Sequence, residues 1–194
     1  MASLLDRGYL KGKLLLAMPS MGDPRFHHAV IFICAHDENG AMGLVINHEM
    51  PGIEFTDLVG QLKLESDIKV NFEKLALPVM CGGPVESARG FLLHSSDFIR
   101  DETMRVDAAY GVTGTLDAIK DVANGQRPHD MMFILGYAGW DEGQLDLEIQ
   151  ENAWLVVDPD PELVFGGNPK EKWNKALHKL GINPSQLSAM SGRA

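Results

Sequence analysis

The sequence predicts a single-domain α/β (α+β) protein with a mixed sheet and a β-hairpin at its centre. The chain has 194 residues, of which 45% are hydrophobic and 23% charged, a size and composition typical of one globular domain. Two continuous apolar runs, residues 29–35 and 41–46, stand on either side of the pair Asn39-Gly40. Because Asn-Gly between apolar runs is a strong hairpin signal, residues 29–46 are expected to form two paired strands.

The remaining strands are predicted from short apolar runs bounded by turn residues. They cover residues 12–18 (which end at Pro19), 75–81, 90–94 and 131–137. The second and third of these runs flank a Gly-Gly-Pro-Val turn.

Helices are predicted where apolar residues recur every three or four positions. Residues 57–64 follow Thr56 as a helix N-cap. Residues 116–123, with Leu116, Ile119 and either Val122 or Ala123 on the apolar face, follow Thr115 as N-cap and end at Asn124-Gly125. A third helix runs from Asn168-Pro169 to Leu180, with Trp173, Ala176, Leu177 and Leu180 as its apolar stripe and Gly181 after its end.

Residues 144–150 fit two structures. Leu145, Leu147 and Ile149 alternate with polar residues, as in a half-buried strand, yet Leu145 and Ile149 also share a helix face. The acidic residues Asp141 and Glu142 suit a helix N-terminus. The balance favours a helix.

Charge is distributed unevenly along the chain. The net charge is −10, and no Lys or Arg lies between Arg127 and Lys170, a stretch with nine acidic residues. Nucleic-acid affinity depends on Lys and Arg, so direct DNA binding is not expected. The lysines of the helix after Asn168 are expected to lie on its solvent-facing side.

The cysteines and the N-terminal region indicate the compartment. The two cysteines, Cys34 and Cys81, suggest neither a disulfide framework nor a zinc ribbon. The apolar run at residues 14–18 is far shorter than the roughly 18–20 residues of a membrane span, and also short for a signal peptide. We therefore expect a cytoplasmic protein with no membrane segment.

Four segments of the sequence resemble the AlgH/YqgE family. They are GKLLLAMPSMGDPRFHHAVIFICAHDENGAMGLVIN (12–47), CGGPV (81–85), GYAGWDEGQLDLEI (136–149) and NAW (152–154). The resemblance runs nearly end to end, and the AGW…GQL block is its most specific part. It implies one bacterial α/β domain over residues 1–194, with a complex, bifurcated sheet flanked by helices. It also carries the label of a proposed transcriptional regulator, with no established reaction.

Six residues of these segments are candidates for ligand binding: Asp23, Asn47, Gly82, Gly83, Trp140 and Gln144. The two glycines can present backbone N–H groups to an anion or simply form a tight turn. Trp140 offers a flat apolar face and Gln144 a group that both donates and accepts hydrogen bonds. The alternative for this block is a packed turn with Trp140 buried, and we expect Trp140 to be buried. Asp23 either ends a turn or serves as an acid or base.

Two further clusters have the residue types of a reactive site. Cys34 and His36, two apart on a predicted strand, are expected to face the same way and could bind a metal with His27 or His28. A buried thiol and an imidazole near a turn are the simpler interpretation, and neither a metal nor another cofactor is expected. His94-Ser95-Ser96-Asp97 contains the residue types of a catalytic triad, but a triad is defined by geometry, not by adjacency.

These observations favour an accessory or regulatory protein that binds a protein partner or a small ligand. The expected binding face contains residues 81–85 and 136–144. The alternative is an enzyme that uses the same face.

Overall fold

Ten β-strands form one branched sheet in the computed structural model, which describes residues 8–61, 77–114 and 116–190. The strands are β1 (Leu14–Ala17), β2 (Val30–Asp37), β3 (Gly40–Val45), β4 (Glu49–Glu54), β5 (Pro78–Cys81), β6 (Val85–Ser95), β7 (Met104–Arg105), β8 (Tyr110–Thr113), β9 (Met131–Asp141) and β10 (Trp154–Val157).

Six α-helices accompany the sheet in the described ranges. They are α1 (Phe55–Gln61), α2 (Leu116–Ala123), α3 (Gln144–Gln150), α4 (Pro161–Phe165), α5 (Lys172–Lys179) and α6 (Pro184–Met190). Short 3₁₀ turns cover Pro24–Phe26 and Pro169–Glu171. Within these ranges, no helix has both the length and the hydropathy needed to cross a membrane.

The sheet branches at β9. The main path runs β10-β1-β2-β3-β9-β6-β8-β7, and β4 joins it only through β5. The first part of β9 pairs in parallel with β5, its last part pairs antiparallel with β3, and β6 pairs antiparallel with it. The sheet is therefore mixed and bifurcated, as the family resemblance implies.

The two candidate glycines lie at this branch and pack against the backbone of β9. The Gly82 N–H donates to the Leu135 carbonyl at 2.8 Å. A Cβ atom on Gly82 would lie 2.2 Å from the Gly136 oxygen, and one on Gly83 would lie 2.3 Å from the Tyr137 carbonyl. Only glycine permits such a close approach of two backbones, so the Gly-Gly pair serves chain packing here.

The core lies on both faces of the sheet. Along β1, Leu14 and Leu16 point to one face, which α4, α5 and α6 cover, whereas Leu15 and Ala17 point to the other. Residues of α3 pack on that second face. A third cluster joins α1 and α2 to β5, β6 and β9. Because both faces are buried, the central strands are continuously apolar and not alternating.

The central hairpin is confirmed, as is the strand structure of residues 29–35. Ile31 pairs with Val45, and Asp37 pairs with Gly40. Glu38 and Asn39 form the connection, so Gly40 begins β3 and is not part of the turn.

Several element boundaries differ from the prediction. Helix α1 begins at Phe55, one residue before the predicted cap Thr56, and the Glu54 N–H donates to Asp57 at 2.8 Å. Strand β9 continues to Asp141, four residues beyond its predicted end. Residues 62–64 of the first predicted helix, residues 75–76 of one predicted strand and the predicted cap Thr115 lie outside the described ranges.

The contested segment is helix α3, with Leu145 buried and Leu147 55% exposed. The prediction is wrong for two residues assigned to apolar helix faces, because Leu116 is 57% exposed and Leu180 is 40% exposed. The buried side of α2 consists of Ala118, Val122 and Ala123, so its apolar face is rotated away from Leu116.

Lys172 contradicts the expectation that the lysines of α5 lie on its solvent side. It is 2% exposed, and its Nζ donates to the carbonyls of Leu163 (3.0 Å), Val164 (2.7 Å) and Gly166 (2.8 Å). These carbonyls belong to the C-terminal end of α4, where helices leave carbonyls without partners. Burial lowers the pKa of the Lys172 ammonium to about 8. Lys172 therefore joins α5 to α4.

Replacing Lys172 with Met should destabilise the protein by about 2–4 kcal/mol, because three carbonyls lose their donor. The control is Lys175→Met, since the Lys175 side chain is 49% exposed and its ion pair with Glu171 is 3.4 Å long. That change should cost less than about 0.5 kcal/mol. Urea denaturation measures both, and equal effects would contradict a structural role for Lys172.

Candidate ligand-binding cleft

A cleft of about 320 Å³ lies beside the C-terminal end of β9 and the start of α3. Its lining residues are Met21, Asp23, Arg25, Phe26, Pro84, Gly139, Trp140, Gln144, Glu148, Ala153 and Trp154. Three of the six candidate residues, Asp23, Trp140 and Gln144, therefore line one cavity although they are far apart in sequence.

The Glu148 carboxylate organises one wall of the cleft. Its Oε2 accepts hydrogen bonds from the indole N–H groups of Trp140 (2.9 Å) and Trp154 (2.8 Å), and its Oε1 accepts one from Gln144 (2.9 Å). Gln144 and Glu148 are four residues apart on α3 and so lie on one side of the helix. The Gln144 oxygen accepts from the Asp141 N–H at 3.0 Å, which ties α3 to the end of β9.

The aromatic rings of the wall pack edge to face. The Trp140 and Trp154 ring centroids lie 6.0 Å apart at 78°, and Phe26 meets Trp154 at 5.7 Å and 73°. Both angles fit the preferred arrangement of aromatic pairs. Trp140 is 7% exposed, as expected. It lies on strand β9, however, and not in the packed turn of the alternative interpretation.

Asp23 and Arg25, which also line the cleft, form an ion pair. Asp23 caps the 3₁₀ turn Pro24–Phe26 by accepting from the Arg25 N–H at 3.0 Å. The Arg25 guanidinium donates to both carboxylate oxygens, from Nε at 3.0 and 3.1 Å and from Nη2 at 2.6 Å. These hydrogen bonds hold the pKa of Asp23 below its usual value. Asp23 is therefore a paired anion, which makes it a poor general base.

The other three candidates do not line the cleft. Pro84 reaches it, but Gly82 and Gly83 pack on β9 as described. Asn47 is 7% exposed and joins two segments: its Oδ1 accepts from the Val30 N–H and its Nδ2 donates to the His28 carbonyl, both at 2.8 Å.

Cys34 and His36 do not face the same way, which corrects the expectation for them. The β2–β3 register shifts between Ile33 and Ala35. Cys34 is fully buried in the α5-side core, where burial raises its thiol pKa. His36 accepts from the Leu10 N–H at 3.0 Å and lies 3.8 Å from Asp146 of α3, which packs on the other face. The described residues contain no cluster of three His, Cys, Asp or Glu side chains suited to a metal.

The His94–Asp97 segment does not have triad geometry. The His94 Nε2 shares a 2.8 Å hydrogen bond with Thr113 Oγ1, and its Nδ1 lies 2.9 Å from the Ser95 carbonyl. The Ser95 hydroxyl donates instead to Asp97 at 2.5 Å. Burial lowers the pKa of His94. Imidazole and hydroxyl thus have separate partners.

Four residues of the cleft were not predicted from the sequence: Arg25, Phe26, Glu148 and Trp154. The spacing of Glu148 from Gln144 could have indicated a shared helix face once residues 144–150 were taken as a helix. Arg25 follows the Asp23-Pro24 turn and could have been paired with Asp23. Nothing in the spacing of Trp154 indicates its contact with Glu148.

Fold and cleft together define a class: a single-domain α/β protein with a branched sheet and a small, aromatic-walled cleft. Within that class the chain belongs to the AlgH-like family DUF179, whose sequence pattern matches residues 14–185. The family resemblance drawn from the sequence is confirmed.

Proteins named UPF0301 match nearly the whole chain. A UPF0301 protein of Nitrobacter hamburgensis is 48% identical over 97% of this chain and 89% of its own length. The UPF0301 protein Rru_A3059 of Rhodospirillum rubrum is 46% identical over 100% of both chains.

Solved structures confirm the fold. The solution structure of the AlgH protein from Pseudomonas aeruginosa matches with a TM-score of 0.77 and 36% identity, over 100% of this chain and 99% of that one. The crystal structure of protein DIP2367 from Corynebacterium diphtheriae has a TM-score of 0.72 at 19% identity, over 92% and 91% of the two chains. The second likeness concerns the fold alone.

Replacing Trp140 with Ala should cost about 3–5 kcal/mol of stability, because a buried aromatic ring is lost. Trp140→Phe should cost less, since it mainly deletes the hydrogen bond to Glu148, worth about 1.5–3 kcal/mol. The control is Leu147→Ala on the exposed side of α3. Chemical denaturation compares the three variants. A Trp140→Ala protein as stable as the parent would show that the ring is not a core residue.

Proposed function

We propose that this protein is a cytoplasmic accessory or regulatory protein that binds a small ligand, or a projecting side chain of a partner protein, in the cleft around Glu148. The observation that carries the proposal is the convergence of three separate segments on one aromatic-walled cavity. Binding sites are typically concave and mostly apolar, with a few polar groups that orient the ligand. Trp140, Trp154 and Phe26 supply the apolar walls here, and Gln144 and Arg25 supply polar groups at the rim.

The geometry supports binding more than catalysis. Both carboxylates of the cleft already accept several hydrogen bonds, Asp23 from Arg25 and Glu148 from two indoles and an amide. A general base needs a lone pair directed at its substrate. Among the described residues that line the cleft, none is a Ser, Cys, Lys or His that could act as a nucleophile.

The charge distribution supports regulation through a protein or a ligand and not through direct DNA contact. The lysines of α5 do not form a free basic face. Lys172 is buried, Lys175 lies 3.4 Å from Glu171 and Lys179 lies 2.7 Å from Asp160. A DNA-binding helix presents its cations to phosphates and bases.

Occupancy of the cleft can be detected through the tryptophans. The chain has three, and Trp140 and Trp154 donate their indole N–H groups to Glu148. Trp173 donates to the Ala17 carbonyl at 2.9 Å and serves as an internal control. In ¹H–¹⁵N spectra recorded with a mixed library of small acids, amines and neutral compounds, binders should shift the first two indole signals and leave the third unchanged. A library that moves none of them, or all three equally, would contradict the proposal.

Direct DNA binding should be weak and independent of sequence. A fluorescence titration with labelled duplexes at about 150 mM salt checks this, because low salt exaggerates phosphate contacts. Sequence-selective binding at nanomolar protein would overturn this part of the proposal.

A further inference from the structure

We infer that the occupant of the cleft is an organic cation, an ammonium or guanidinium group carried on a short apolar chain. This inference rests on the proposed function and specifies the ligand class of the same site. The Glu148 carboxylate carries a charge that no side-chain cation of the described residues balances.

The charges lining the cleft do not cancel. Arg25 is bound to Asp23 through both Nε and Nη2, so these two side chains neutralise each other. Glu148 is held by uncharged donors, the indoles of Trp140 and Trp154 and the amide of Gln144. The indole and amide groups orient the carboxylate without removing its charge.

The sequence explains the missing cation. Apart from Met21–Phe26 and Pro84, the described residues that line the cleft lie between Arg127 and Lys170. That stretch contains no Lys or Arg. Within residues 141–150, the exposed residues that carry a charge are all acidic: Asp141, Glu142 and Asp146. An anionic ligand would meet repulsion from these charges, whereas a cation would be attracted.

The size and the walls of the cleft suit the apolar part of such a ligand. A volume of about 320 Å³ is at the small end of ligand sites, enough for one side chain or a small amine. Aromatic rings attract cations through their negatively polarised faces. The rim already shows such a contact, with Arg25 Cζ 6.0 Å from the centroid of the Phe26 ring.

The test uses three probes of nearly equal size: phenethylamine, 3-phenylpropionate and 2-phenylethanol. Each is titrated into the full chain at pH 7 while the Trp140 and Trp154 indole signals are followed, with Trp173 as the control. The amine should bind at least about tenfold more tightly than the acid. Tighter binding of the acid or the alcohol would overturn the cation inference and leave the proposed function standing. If no probe and no library compound shifts the indole pair, both fail.

Two charge variants at exposed Gln144 sharpen the test. Gln144→Lys places an ammonium four residues from Glu148, where it can pair with the carboxylate, and should weaken amine binding about tenfold. Gln144→Glu adds a negative charge and should strengthen amine binding. Circular dichroism confirms that both variants fold. Equal amine affinity in the two variants would refute the role of charge.

The same readout separates two sources of the cation. Capped lysine amide stands for a side chain of a partner protein and phenethylamine for a free amine. Tighter binding of the capped lysine assigns the site to a partner's side chain, and tighter binding of phenethylamine assigns it to a free amine. Both outcomes support the inference, and failure of both compounds to bind overturns it.

Discussion

The backbone at Gly82–Gly83 packs directly against β9, and this contact positions the elements on both sides of the sheet's branch. At this point one side of β9 changes partner, from parallel β5 to antiparallel β3. The exchange requires the chain leaving β5 to pass within van der Waals contact of Gly136 and Tyr137, which a side chain at either glycine would prevent. The central hairpin, the α1–α2 layer and the cleft all attach to β9 on one side or the other of this branch.

Beyond the branch, β9 carries Trp140 to the place where α3 begins. The helix returns Glu148 to the Trp140 indole, and β10 brings the Trp154 indole to the same carboxylate. One charged side chain thereby joins a strand end, a helix and the edge strand. Hydrogen bonds to a carboxylate are stronger than those between uncharged groups, so these three bonds stabilise the cleft wall. The same arrangement leaves negative charge beside an apolar cavity, and a binding site can use this property.

Much of the fold was predictable because its signals are local. The strands at residues 29–35 and 41–46 are apolar throughout, and only a strand buried on both faces suits so short a run. The helical structure of residues 144–150 followed from one shared face, Leu145 with Ile149, and from the acidic residues before it. Boundaries were less accurate where tertiary contacts extend an element. Strand β9 continues to Asp141 because β3 supplies hydrogen-bonding partners there. The residues of β9 give no local signal that predicts this pairing.

The family, the fold class, the central hairpin and the acidic character of residues 128–169 could all be read from the sequence, since each follows from composition or short-range pattern. The sequence also identified Asp23, Trp140 and Gln144 as candidate ligand-binding residues. Which of the candidate residues share a site became clear from the three-dimensional structure. It placed Asn47 in a backbone-bridging role, buried Lys172 against the end of α4 and, through a register shift between Ile33 and Ala35, pointed Cys34 and His36 to different faces. It also added Glu148 to the cleft. The physical reason is that packing and charge balance depend on which distant segments meet. The residues next to a position in the sequence do not indicate which distant segments contact it.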